Sequence, residues 1–192
     1  MNIPVTRKAL SLLLMLLAGL GLAGSTVAPL RAGESAEHSA AMPAPELTGN
    51  LWLNLPNGSR LSLASRKGKV TILHFWTYGC TNCKRNLPAY NRWQKRFASK
   101  GVVVIGIHSP ETDAERDPAN VAKRVKELGI SYPVLVDSDR QNWNRWRQRA
   151  WPAVCLIDKQ GRVRFGWEGE LEYRGAGGEA KMTQLMEALL KE

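Results

Sequence analysis

The stretch Val70-Thr71-Ile72-Leu73-His74-Phe75-Trp76, continued by Thr77-Tyr78-Gly79 and Cys80-Thr81-Asn82-Cys83, decides how the chain is read. Its first part is too continuously apolar for an edge strand and predicts a strand buried on both faces, as in a parallel sheet. Beyond the cysteines, Leu87, Tyr90, Trp93 and Phe97 recur three and four residues apart. The intervening positions hold Lys84, Arg85, Arg92, Lys95 and Arg96. This pattern predicts an amphipathic helix from Asn82 to Lys100, kinked at Pro88 and ended by Gly101. The two cysteines therefore fall where a buried strand turns into a helix.

Downstream, Val102–Ile107 is a second buried strand. Asp117-Pro118 opens a helix through Val121, Val125 and Leu128 that stops at Gly129. Pro133–Val136 is a short strand and Arg140–Arg149 a helix carrying Trp143 and Trp146. Trp151-Pro152 breaks the chain before a strand at Ala153–Ile157, a turn at Asp158–Gly161 and a partner strand at Arg162–Phe165. A final helix spans about Glu179 to Lys191. Upstream, alternation over Leu51–Leu55 and Arg60–Leu63 flanks Pro56-Asn57-Gly58, which predicts a β-hairpin. Strands alternate with helices first and a hairpin with a helix closes the chain, so the class is α/β with a mixed sheet.

The chain has 192 residues, 44% hydrophobic and 23% charged, an ordinary globular balance that excludes a disordered or polytopic membrane protein. Arg7 and Lys8 precede an uncharged stretch, Ala9 to Leu30, with small residues at Ala23-Gly24-Ser25. That is the pattern of a secretory signal, and the run is also long enough to stay in the bilayer as an anchor. Residues 1–25 are thus expected to be a signal peptide or N-terminal membrane anchor, 26–46 a linker and 47–192 one domain. Lys and Arg outnumber Asp and Glu by 27 to 17, a net charge of +10 that falls only to +8 without Arg7 and Lys8. The basic helix face lacks interleaved aromatics and an exported protein rarely meets nucleic acid, so no nucleic-acid partner is expected. Lys84 and Arg85 are expected instead to favour a thiolate.

Export changes the meaning of the cysteines, because thiols outside the cytoplasm tend to oxidise. At a helix start, N–H groups and the macrodipole stabilise a thiolate at Cys80, while Cys83, one turn further in, is less exposed. Their spacing lets one sulfur attack and the other resolve. A metal site needs two further ligands, and Cys155, His108 and His74 lack the spacing of a zinc site, so no metal is expected. A structural disulfide closing so small a loop would add little stability. Cys155, between Val154 and Leu156, reads as a buried small hydrophobe, with a third redox centre as the alternative.

Phe75-Trp76-Thr77-Tyr78-Gly79-Cys80-Thr81-Asn82-Cys83-Lys84, with Leu87-Pro88 following, resembles the active-site strand and helix of the thioredoxin superfamily. The leading hairpin before Gly68-Lys69, the run His108-Ser109-Pro110-Glu111 and Trp151-Pro152-Ala153 resemble its exported TlpA/ResA branch and, within that, DipZ-like domains. The likeness runs from about Leu51 to Lys191 and implies a thioredoxin-like mixed central sheet flanked by helices, with an N-terminal β-hairpin extension. It implies a thiol–disulfide oxidoreductase with Cys80 as nucleophile and Cys83 as resolving cysteine, forming a redox-active disulfide and needing no cofactor. It further implies that Pro152 is a cis-proline, that Trp151 lines the substrate groove and that Trp76 packs beside Cys80 as a substrate-binding residue. The implied partners are a disulfide-containing protein substrate and a membrane dithiol electron donor, in the periplasm or another extracytoplasmic space.

The chain also departs from the pattern. His74 stands where thioredoxins carry a buried Asp; a neutral imidazole there would either shuttle a proton or simply fill the core. Asn86 replaces the Glu found in ResA-type proteins, which weakens a role specific to cytochrome c maturation. Glu111 is a candidate loop carboxylate, with a solvated loop acid as the plainer reading. Thr77-x-x-Cys80 echoes a peroxiredoxin fragment, but Leu73 replaces that family's Pro. No His follows His108, which disfavours copper delivery. The remaining alternatives are a thiol peroxidase and a non-catalytic polypeptide-binding adaptor whose disulfide is structural.

Overall fold

Thr71–Trp76 forms β3, all six residues buried, because the strand is flanked on both edges and covered on both faces. It runs parallel to β4 (Val103–His108) and antiparallel to β6 (Ala153–Ile157), in registers that pair His74 with Gly106 and Val154. The structure is a computed structural model that describes residues 42–56 and 59–192. Its mixed seven-stranded sheet has the order β1-β7-β6-β3-β4-β5-β2. β5 (Val134–Val136) continues the parallel set; β7 (Arg162–Glu168) is antiparallel to β6 and β1 (Met42–Pro43) antiparallel to β7.

One face packs α1 (Thr81–Phe97), α2 (Pro118–Glu127) and α4 (Gly178–Lys191) around Ile72, Trp76 and Val104. The other gathers Leu73, Phe75, Ile105, Ile107, Leu135 and Trp143. α1 remains one helix through Pro88, although the proline leaves one carbonyl without its helical N–H. Exposed pairs Arg92–Glu179 and Arg96–Glu187 join α1 to α4. Such pairs contribute little; the stronger tie is the buried face, where the Trp93 indole donates to the Thr183 hydroxyl at 2.8 Å. Asp117 caps α2 by accepting the Ala119 N–H, with Pro118 in the first turn, as its sequence predicts.

Three expectations need correction. First, among the described residues the arms expected to form the N-terminal hairpin do not pair with each other. β2 (Trp52–Leu53) pairs instead with Leu135 and Val134 of β5, and residues 60–63 form no strand. The free edge of β5 satisfies the alternating segment better than an isolated two-stranded ribbon would. The turn residues Asn57 and Gly58 lie outside the described residues.

Second, the described part of the stretch expected as linker takes part in the fold. Met42–Pro43 joins the sheet, and the Glu46 carboxylate accepts the Leu63 and Ala64 N–H groups at 2.7 and 2.9 Å. Third, the helix expected over 140–149 shortens to α3 (Gln141–Arg145), because Arg140 and Arg147 adopt left-handed conformations at φ 59° and 53°. Among the described residues no helix is long and apolar enough to cross a membrane; the Ala9–Leu30 segment lies outside them.

Candidate active site

The C-terminal ends of β3, β4 and β5 open onto three loops, Thr77–Cys80, Ser109–Arg116 and Asp137–Arg140. The antiparallel β6 delivers Trp151–Pro152 to the same end. In an α/β sheet this edge is where chemistry collects.

Cys80 is the N-cap of α1: its Sγ accepts the Cys83 N–H at 3.1 Å and its carbonyl accepts the Lys84 N–H at 3.2 Å. Cys80 and Cys83 are disulfide-bonded with Cα atoms 5.3 Å apart. Cys80 is half-buried and Cys83 wholly buried, so only the first sulfur is within reach of another molecule. Helix N–H groups aimed at Cys80 favour its thiolate once the bond is reduced. Lys84 and Arg85 flank it in solvent, and Arg85 is paired with Glu170 at 2.7 Å.

The Trp151–Pro152 bond is cis. Trp151 is half-buried, stacked on Trp143 at 3.9 Å between ring centroids, and its indole donates to the Ser109 carbonyl at 3.1 Å. The Arg140 guanidinium lies over both rings. A chain of hydrogen bonds ties α1 to this segment. Asn86 accepts the Leu171 N–H and donates to the Gly169 carbonyl, and the Gly169 N–H donates to the Pro152 carbonyl at 2.7 Å. Asn86 is therefore an internal clamp rather than a group facing a partner.

Trp76, expected as a substrate-binding residue, has no exposed side-chain surface and packs in the same core cluster as Cys83. Its position in the fully covered strand β3 puts it beneath the site. Gly106 makes room there, since a Cβ would meet His74 Nε2 and Trp76 Nε1 at 3.0 and 3.1 Å.

His74 is stacked on Tyr90 at 4.1 Å and met edge-on by Tyr132, and burial pulls its pKa down to about 3. It is a neutral ring in an aromatic box. His108 is buried too, at about 4, with Nε2 3.4 Å from the Tyr78 N–H and 3.3 Å from the Thr77 hydroxyl. An Nε2 that accepts the Tyr78 N–H leaves the ring's proton on Nδ1. Thr77 is thus engaged by His108, as part of the loop's support.

Glu111, a candidate loop carboxylate with a solvated acid as its plainer reading, is exposed, and the carboxylate that reaches the cysteine loop is Glu115. It is 3% exposed and accepts N–H groups of Gly79 at 2.9 Å, Glu111 at 2.7 Å and Thr112 at 2.9 Å. The signal was the spacing Thr112-x-x-Glu115, a capping box. Asp137 was also missed; it accepts the Ser109 hydroxyl and the Asn142 and Trp143 N–H groups. Cys155 pairs with Leu73 and packs in the cluster on the opposite side from Cys83; burial pushes its thiol up to about 12. It is a partly buried residue packed against that cluster. Among the described residues no three His, Cys, Asp or Glu side chains gather to hold a metal ion.

A profile of the AhpC/TSA family matches residues 41–165. The chain belongs to the AhpC/TSA family. Over 131 residues it is 44% identical to Protein DipZ of Mycobacterium tuberculosis, covering 68% of this chain but 19% of that protein. It is 32% identical over 123 residues to the thiol-disulfide oxidoreductase YkuV of Bacillus subtilis, 64% of this chain and 80% of the relative. Among solved structures, a thiol-disulfide isomerase from Corynebacterium glutamicum superposes with a TM-score of 0.65 at 26% identity, covering 78% of this chain and 97% of that one. The thioredoxin-like fold and the DipZ-like resemblance stated for about Leu51 to Lys191 are thereby borne out.

Proposed function

We propose that the protein is an exported thiol–disulfide oxidoreductase that reduces disulfides of extracytoplasmic proteins. The observation that carries this reading is the asymmetry of the cysteine pair: Cys80, half-buried at the N-cap of α1, is joined to a wholly buried Cys83. In the reduced protein the Cys80 thiolate attacks one sulfur of a substrate disulfide. A Cys80–substrate mixed disulfide forms and the other substrate sulfur leaves as a thiolate that takes up a proton. Cys83, deprotonated, then attacks Cys80 Sγ. The second substrate thiol departs and two electrons have passed from the dithiol to the substrate.

The Trp151 ring and the backbone before Pro152 form the surface along which an extended substrate lies, and the Asn86–Gly169–Pro152 chain keeps that surface in register with α1. Restoring the dithiol in an oxidising compartment requires a donor, read here as a membrane dithiol. The basic N-terminal segment with its uncharged run supports export, with retention as an anchor or release by cleavage.

Replacing Cys80 with Ser is expected to abolish reduction of a protein disulfide, and Cys83→Ser to accumulate the mixed disulfide, seen as a thiol-sensitive band on a non-reducing gel. Turnover by Cys80→Ser would overturn the mechanism. Consumption of peroxide with a thiol reductant, but no protein-disulfide reduction, would favour a thiol peroxidase. Undiminished substrate binding by a chain whose pair never cycles would favour an adaptor.

A further inference from the structure

The Glu115 carboxylate stands directly behind the residue that precedes Cys80, and the loop is shaped around it. Gly79 has an ordinary φ, so backbone conformation does not call for glycine there; the need is spatial, because a Cβ at this position would overlap Glu115 Oε1. One carboxylate oxygen takes the Gly79 N–H and the other those of Glu111 and Thr112. The same loop is fastened by the Tyr78 hydroxyl, which donates to the Ala114 carbonyl at 2.8 Å, and by the stacking of Tyr78 on His108.

Among the described residues no cation pairs with Glu115. Arg116 is held by Asp113 and the Ser138 carbonyl, Arg124 by Glu127 and the Tyr78 ring, and His108 is a neutral imidazole. Lys84 and Arg85 lie in solvent on α1, where their field is screened.

We propose that Glu115 is the positioning residue of the Cys80–Cys83 loop, and that its uncompensated carboxylate makes this dithiol a stronger reductant. The inference rests on the redox reading above. The physical argument has two steps. Burial opposes the charge on Glu115, but the N–H groups of Thr112, Glu111 and Gly79 outweigh it, so the carboxylate stays ionised. A fixed negative charge at the N–H of Gly79, the residue before Cys80, then disfavours the Cys80 thiolate. It does so in the dithiol alone, since the disulfide carries no charge. The equilibrium is thereby moved toward the disulfide, and electrons leave more readily.

The test is equilibration of the Cys80–Cys83 pair with glutathione, together with titration of thiolate absorbance, on the full chain and two variants. Glu115→Gln keeps the volume and one acceptor but removes the charge. Read at a pH above the Cys80 pKa, where the reduced form carries the thiolate, it is expected to shift the equilibrium constant about tenfold toward the dithiol, ~30 mV, with a lower Cys80 pKa. Gly79→Ala keeps the charge but displaces the carboxylate, and is expected to shift the constant in the same direction. The double variant should show little beyond either single change.

If Glu115→Gln fails to fold, Gly79→Ala carries the test alone. A folded variant of either kind with an equilibrium constant within about twofold of wild type overturns the proposal. The equilibrium is read whether or not the wild type turns over a protein disulfide. Shifted constants without turnover would therefore count against the proposed function and leave Glu115 in its role.

Discussion

Buried carboxylates at opposite ends of the same sheet are satisfied in opposite ways. Asp158, in the β6–β7 turn, accepts the N–H groups of Gln160 and Arg162 and is also paired with the guanidinium groups of Arg162 and Arg164. Asp137, after β5, and Glu115, after β4, are equally buried but receive only hydroxyl, amide and backbone donors. At the turn end the charge is neutralised where it stands and serves to fix a reversal of the chain. At the cysteine end it is held by neutral dipoles, so its field is not cancelled by a partner. Among the described residues, a chain of net charge +10 thus keeps two buried carboxylates without ion-pair partners in the loops around Cys80.

The sharpest way to break this contrast is Asp137→Ala. It would strand the Ser109 hydroxyl and the first N–H groups of α3 in a buried setting, and loosen the helix that carries Trp143 under Trp151. Each unsatisfied buried donor costs on the order of 1–3 kcal/mol, so a loss of about 3 kcal/mol is expected. Thermal unfolding should show a fall in Tm of roughly 10 °C. A loss no greater than that of a surface substitution would mean that water replaces the carboxylate and the loop does not depend on it.

The same end of the sheet holds His74 and His108, whose pKa values lie near 3 and 4 against 6.5 for a free imidazole. Both are depressed by burial, so the unfolded chain binds protons that the folded chain refuses. Their stabilising effect is complete above pH 6.5 and is lost as pH falls toward about 4. The limiting slope is about 1.4 kcal/mol per pH unit for each ring. Glu115 and Asp158 are also depressed and add their loss further down, below the ordinary carboxylate range. Denaturant melts of His74→Phe between pH 6.5 and 4 are expected to show about half the wild-type slope. An unchanged slope would mean that His74 is protonated without unfolding.

Much of this molecule was legible from residues alone, and the failures share one cause. β3 and β4 were readable because their runs are continuously apolar, and α1 and α2 because their apolar spacing and caps are local. The Cys80–Cys83 pair was readable because its spacing puts both sulfurs within one turn. The hairpin expectation failed because alternation states that a segment is a strand but not which edge it joins; β5 offered its edge to Trp52–Leu53. The burial of Trp76 was not legible because a motif gives adjacency along the chain, while burial comes from Gly106, Tyr132 and α1 packing around it. Asp137 and Glu115 were missed because the donors that join them to the cysteine end, Ser109 and Gly79, lie on other loops and meet them only when β3, β4 and β5 end together. A capping box at Thr112 predicts a helix start; that its Glu also reaches Gly79, 36 residues away, is tertiary information.

The smallest effect is expected at the neutralised end. Asp158→Asn retains an acceptor for the turn N–H groups but gives up the charge that Arg162 and Arg164 share. Arg164 is also paired with Glu192, so one guanidinium keeps a carboxylate after the change. Because the arginine side chains are 41% and 25% exposed, the pairing is screened by solvent, and a loss of about 1 kcal/mol is expected. The wild-type advantage over this variant should shrink as salt is raised, since its charge component is screened. Asp137→Ala should not respond to salt in this way, because its partners are uncharged. Equal salt dependence at the two sites would show that Asp137 has a counter-charge after all, and the contrast between the two ends of the sheet would fall with it.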